Sequence, residues 1–84
     1  MMTNLFLRIG MINNTDTLKL SKDVYSSKAI YETIKAFQKI ATIECTESEQ
    51  YYICKFFRCH YETSLTMNEF GNYLIDLMNT KGFA

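Results

Sequence analysis

A chain of 84 residues is too short to divide into two self-supporting cores, and at this size only about 60 to 65% of the unfolded surface is buried, so association with another protein is a natural supplement. Nine basic and nine acidic residues give zero formal charge, which removes the electrostatic term that dominates non-specific binding to nucleic acid and to anionic membranes. Six Phe and six Tyr with neither Trp nor Pro make an aromatic-rich, globular composition and exclude disorder.

Three Cys, an odd number without the dense paired spacing of a disulfide-stapled secreted domain, point to a reducing compartment. Leu5 to Ile12 is apolar but short and interrupted by Arg8, which suits neither a secretory core nor a spanning helix. A cytoplasmic chain is expected.

Leu5 to Ile12 reads as a strand with Leu5, Leu7, Ile9 and Met11 on one face, followed by a turn at Asn13-Asn14-Thr15-Asp16. One alternative is a loosely held arm; another is a start at Met11, with residues 1–10 carrying no structural role. Residues 1–16 are accordingly set apart from a single α+β domain over 17–84. Thr17 to Ser21 alternates cleanly and places Leu18 and Leu20 inward. Ser26 or Ser27 can cap a helix by accepting from the free N–H groups of its first turn. From there Ala29, Ile30, Ile34, Phe37 and Ala41, flanked by Thr33 and Ile40, recur at helical steps opposite Lys28, Glu32, Lys35 and Gln38. The helix is expected from Ser27 to Ile40.

Thr42 to Thr46 alternates again, with Ile43 and Cys45 inward, and a polar turn at Glu47-Ser48-Glu49-Gln50 leaves room only for an antiparallel hairpin. The return strand lies in Gln50 to His60. It carries apolar residues on both alternating sets: Tyr51, Ile53, Phe57 and Cys59 on one, Tyr52, Cys54 and Phe56 on the other. A strand buried on one face only should show one polar set. Residues Arg58 to Thr63 are polar and leave the sheet. Thr66-Met67-Asn68-Glu69 has the form of a capping box, and the helix after it buries Met67, Phe70, Leu74, Leu77 and Met78, with Gly71 on the same stripe. Gly82 after Lys81 suits a left-handed cap, onto which Phe83 can fold.

The order strand, helix, hairpin, helix, with or without the first strand, predicts an α+β two-layer sandwich: a small, mainly antiparallel sheet with two helices on one face. The other face is left open. Tyr52, Cys54 and Phe56 are expected to face the helices, because Lys55 would otherwise be buried without a counter-charge. Tyr51, Ile53 and Phe57, with Lys55 among them, then await something outside the fold.

Cys45, Cys54, Cys59 and His60 are the only soft-ligand set. They are spread along strands, where Cys behaves as a small apolar residue, and not in the close pairs of a thiolate metal site. If the hairpin turns about Glu49 and Gln50, Cys45 and Cys54 lie opposite each other and both are expected to be buried. No metal and no cofactor is expected. Glu44, Glu47, Glu49, Glu62, Glu69 and Asp76 show no paired spacing, and the three Gly are isolated, which disfavours an enzyme. Tyr51, Lys55 and Phe57 on one face could stack on single-stranded RNA, but the aromatic-glycine pattern of RNA-recognition sheets is absent and zero net charge disfavours nucleic acid.

Val24-Tyr25-Ser26-Ser27-Lys28-Ala29-Ile30, then Phe37, and above all Glu69-Phe70-Gly71-Asn72-Tyr73-Leu74-Ile75-Asp76 resemble HxsD, a small protein of His-Xaa-Ser peptide systems, over roughly Leu18 to Met78. The resemblance implies a non-enzymatic accessory subunit that works beside radical S-adenosylmethionine (radical SAM) enzymes, which modify a repeat-bearing peptide. It carries no catalytic residue with it. The expected partner is therefore a second copy of the chain, as a homodimer, or a larger protein such as a radical SAM enzyme. The expected interface is Tyr51, Ile53, Lys55 and Phe57 on the sheet together with Asn72 and Asp76, which are four apart and share one face of the last helix.

Overall fold

The computed structural model of the chain describes residues 10–81. Six elements follow one another: β1 (Met11–Asn13), β2 (Thr17–Ser21), α1 (Ser27–Phe37), β3 (Thr42–Glu47), β4 (Tyr51–Phe57) and α2 (Thr63–Lys81). The four strands form one sheet in the order β1-β2-β4-β3, with every pairing antiparallel. This is the expected α+β architecture. β4 fills the slot between β2 and β3, so α1 carries the chain past a position that only the later hairpin strand occupies.

Leu5, Leu7 and Ile9 lie outside the described residues, as do Gly82 and Phe83. The described end of the first predicted strand pairs Met11 with Leu20 and Ile12 with Lys19, and the strand runs one residue into the predicted turn, with Asn13 opposite Leu18. Residues 11–13 thus belong to the sheet and are not a separate arm. Gly10 is part of the same arrangement, its carbonyl accepting the Ser21 N–H at 2.7 Å.

Strand alternation sends Leu18 and Leu20 of β2 and Cys54 and Phe56 of β4 to one face. There they are buried with Ala29, Ile30 and Phe37 of α1 and Met67, Phe70 and Leu74 of α2. Phe70 sits at the junction of the two layers. Its ring meets Phe56 of the sheet at 5.2 Å and Phe37 of α1 at 5.4 Å between centroids, both edge to face, the arrangement that brings a ring's positive edge to its neighbour's negative face.

Ser26 is the cap of α1, its hydroxyl accepting the Ala29 N–H at 3.3 Å, while Tyr25 just before it is buried in the core. Ser26→Ala is expected to destabilise the chain by about 1 kcal/mol, read as a lower urea midpoint with an unchanged slope. Thr33 sits on the apolar stripe because its buried hydroxyl donates to the Ala29 carbonyl at 2.8 Å. The helix ends at Phe37, short of the predicted Ile40. The Gln38 and Ile40 N–H groups reach back only three residues, to Lys35 and Phe37, which tightens the last turn beyond α-helical geometry.

Two further boundaries differ from expectation. β4 stops at Phe57 because Arg58 adopts φ 49°, a left-handed conformation that turns the chain out of the ladder. The His60 N–H then bonds the Ile40 carbonyl at 2.7 Å. α2 begins at Thr63, one turn before the predicted capping box. Thr66 is already helical and buried, and both its N–H and its hydroxyl donate to the Glu62 carbonyl. The hydroxyl bonds back into the preceding turn instead of capping the next one. No helix among the described residues is long and apolar enough to cross a membrane.

Candidate functional site: the open face of the sheet

β4 divides its side chains as its alternation predicts. Cys54 and Phe56 are buried under the helices with Tyr52 at the margin of the same core, while Tyr51, Ile53, Lys55 and Phe57 point to the other face. No described element covers that face. The register extends it into cross-strand rows: Ile12, Lys19, Ile53 and Thr46 form one, and Thr17, Lys55 and Glu44 the next.

Tyr51, Ile53 and Phe57 are nevertheless only partly exposed. Two lysines lie over the two rings among them. The Lys19 ammonium lies 6.0 Å from the centre of the Tyr51 ring and that of Lys55 5.4 Å from the Phe57 ring. A lysine stem lies along apolar surface while its ammonium stays in water, and the cation is attracted to the ring face. Glu44 stands directly opposite Lys55 in the register. The face is therefore a row of aromatic and aliphatic side chains carrying two lysine cations and one flanking carboxylate.

Asn72 and Asp76 do not join it. Both are exposed on the side of α2 turned away from the buried stripe of Met67, Phe70, Gly71 and Leu74. They line a surface hollow of about 450 Å³ with Phe37, Glu69, Tyr73 and Asn79. Since α2 packs on the inner face of the sheet, this hollow and the open face lie on opposite sides of the sandwich. The six predicted interface residues thus form two surfaces. Four-residue spacing places two side chains on one face of a helix, but it does not say toward which layer that face turns.

Cys45 and Cys54 are paired across the hairpin as the register argument required. Cys54 is buried, but Cys45 is exposed, which corrects the expectation that both are covered. β3 is the edge of the sheet, and between it and α1 runs a groove of about 260 Å³, lined by Ile30, Tyr31, Ile34, Tyr52, Glu47 and Cys45. As a thiol, Cys45 donates weakly to the Thr46 carbonyl at 3.7 Å. As a thiolate it accepts from the Cys54 S–H, which lowers it to about 7 despite burial and the Glu47 carboxylate, both of which push it up. The Cys54 thiol is raised, first by donating that bond and then by its burial. The direction follows exposure: the charge rests on the sulfur that water can reach. Cys59 is partly buried against the core, and the exposed His60 contacts Tyr61 edge to face at 6.2 Å. Among the described residues no group of three or more His, Cys, Asp or Glu is close enough to hold a metal ion.

Compared with family models, curated proteins and solved structures, the chain finds no match.

Proposed function

We propose that this chain is a non-enzymatic protein-interaction subunit of the cytoplasm, which docks through the open face of its sheet. The observation that carries the reading is the Tyr51, Ile53 and Phe57 row on the central strand β4, which lies opposite both helices and has no described layer over it. An aromatic and aliphatic row of this kind suits a buried interface centre ringed by polar groups. The likeness of residues 24–30 and 69–76 to HxsD supports an accessory role beside a radical SAM peptide-modifying enzyme. A second copy of the chain is the alternative occupant.

Sedimentation velocity of the purified chain, alone and with such an enzyme, tests the proposal. A stable complex or a dimer is expected, weakened by about tenfold or more in Ile53→Glu, as for residues at an interface centre. A clean monomer that binds neither partner nor apolar dye overturns it.

The lysines poised over Tyr51 and Phe57 favour one second reading, a stacking platform for single-stranded RNA. A gel shift at physiological salt separates the two: binding that falls steeply with salt supports RNA, and its absence dismisses it.

A further inference from the structure

We propose that Cys45 and Cys54 form a thiol–disulfide exchange site, in which Cys45, reached through the groove between α1 and β3, attacks a low-molecular-weight disulfide and Cys54 closes a cross-strand bridge. The proposal concerns the helix side of the sheet edge and is independent of docking on the open face.

The ladder supplies the geometry. The Ser48 N–H bonds the Tyr51 carbonyl at 2.8 Å, so Ser48 and Tyr51 are a hydrogen-bonded pair, and such pairs alternate along an antiparallel ladder. Three rungs further on, Cys45 opposite Cys54 is a non-hydrogen-bonded pair. There the Cα atoms lie about 4.5 Å apart and the side chains approach most closely, at the near end of the roughly 4.4–6.8 Å span that a disulfide bridges. The register places the two side chains on the same face of the sheet, directly opposite each other. They also differ in access, one opening on the groove and the other fully buried. That asymmetry separates an attacking sulfur from a resolving one.

The exchange balances without further reagents. The Cys45 thiolate attacks one sulfur of the small disulfide, whose other half leaves as a thiolate. The mixed disulfide on Cys45 no longer offers Cys54 an anion to donate to, so the largest cause of its raised pKa disappears. Cys54 then gives its proton to a leaving thiolate and attacks the Cys45 sulfur, expelling the second half. Two protein thiols are oxidised and one disulfide is reduced to two thiols. Ile30, Ile34 and Tyr52 offer the incoming molecule an apolar wall. In a reducing compartment the pair rests as the dithiol and is bridged when the ratio of small disulfide to thiol rises.

Around the Cys45 sulfur the titratable groups are Cys54 and Tyr52 from β4, Glu47 on its own strand, and Tyr31 from α1, with Lys22 paired to Glu47 at 2.6 Å. At pH 7 a thiol lowered from 9.0 to about 7 has about fifty times the ordinary thiolate fraction, offset about eightfold by weaker nucleophilicity, for a net gain of about sixfold in rate.

The test incubates the reduced full-length chain with glutathione disulfide at pH 7. The expected product has lost two hydrogens. Cleavage after Glu47 or Glu49 yields peptides carrying Cys45 and Cys54 that remain joined, while Cys59 stays alkylatable. Cys45→Ser, at an exposed position, should abolish the bridge, and Cys54→Ala should stop at a mixed disulfide on Cys45. Where Cys54→Ala fails to fold, the rate in the unsubstituted chain decides: Cys45 should react about sixfold faster than an ordinary thiol. A bridge through Cys59, a lasting mixed disulfide in the unsubstituted chain, or a Cys45 no faster than an ordinary thiol overturns the proposal.

Discussion

Phe70→Ala is expected to cost about 3–5 kcal/mol and to leave the chain largely unfolded at 37 °C. Phe70 has no exposed surface and is the ring that joins the layers, meeting Phe56 on the sheet and Phe37 on α1, the latter ring also contacting Tyr73 at 5.7 Å. Removing it deletes both edge-to-face contacts and opens a cavity that two rigid rings cannot collapse into. A chain of this length has a total stability of about 4–13 kcal/mol, so the loss takes from about a quarter to the whole of it. Urea denaturation followed by far-UV circular dichroism measures the effect. Phe70→Leu, which keeps most of the volume, should cost about 1–2 kcal/mol. A cost below about 1 kcal/mol for the alanine variant would mean that the two layers are held together elsewhere.

Gly10→Ala is expected to release β1 from the sheet at a cost of about 2 kcal/mol, for two separable reasons. Gly10 has φ 81°, and a Cβ there would lie 2.9 Å from Val24 Cγ2 and 3.1 Å from Ser21 Cβ. The first reason is a left-handed backbone that disfavours any side chain; the second is a steric overlap. Adding Val24→Ala relieves only the overlap, so the double variant should recover part of the loss and not the remainder. Hydrogen exchange at the Ser21 amide, which donates to the Gly10 carbonyl, reports the release directly, because that bond ties the residue just before β1 to the end of β2. Protection of Ser21 equal to that of the unsubstituted chain would contradict the expectation.

How much of this was legible in the sequence depends on how far apart the cooperating residues lie. Ser26 as a cap, Leu18 and Leu20 as inward residues and the turn at Glu49 and Gln50 are all consequences of side chains within a few positions of one another. The pairing of Cys45 with Cys54 follows by counting only once the turn is centred on Glu49 and Gln50, a register that the polar run Glu47 to Gln50 leaves open and the sheet supplies. The start of α2 was misjudged for a local reason as well. Thr66 and Glu69 satisfy the spacing of a capping box, but Thr63 three residues earlier opens the helix, and a buried threonine can bond backward as readily as forward.

The candidate sites were harder to read. That Tyr51, Ile53, Lys55 and Phe57 share an outward face was determined by alternation together with the cost of burying Lys55, and the sheet confirms it. That Lys19 would lie over Tyr51 required the β2–β4 pairing, which places a lysine from thirty-odd residues earlier beside that ring. The two polar residues of α2 share a helical face, as their spacing demands, but that face turns from the sheet.

By itself the sequence determined the order and type of the elements and favoured Tyr52, Cys54 and Phe56 as the half of β4 that meets the helices, because these rest on periodicity between chain neighbours; the hairpin register came from the sheet pairing. The tertiary structure alone decided the strand order β1-β2-β4-β3. With it came the edge position of β3, the exposure of Cys45 beside a buried Cys54, and the separation of Asn72 and Asp76 from the open face. Exposure is set by what lies across from a residue, and that is supplied by elements remote in the chain.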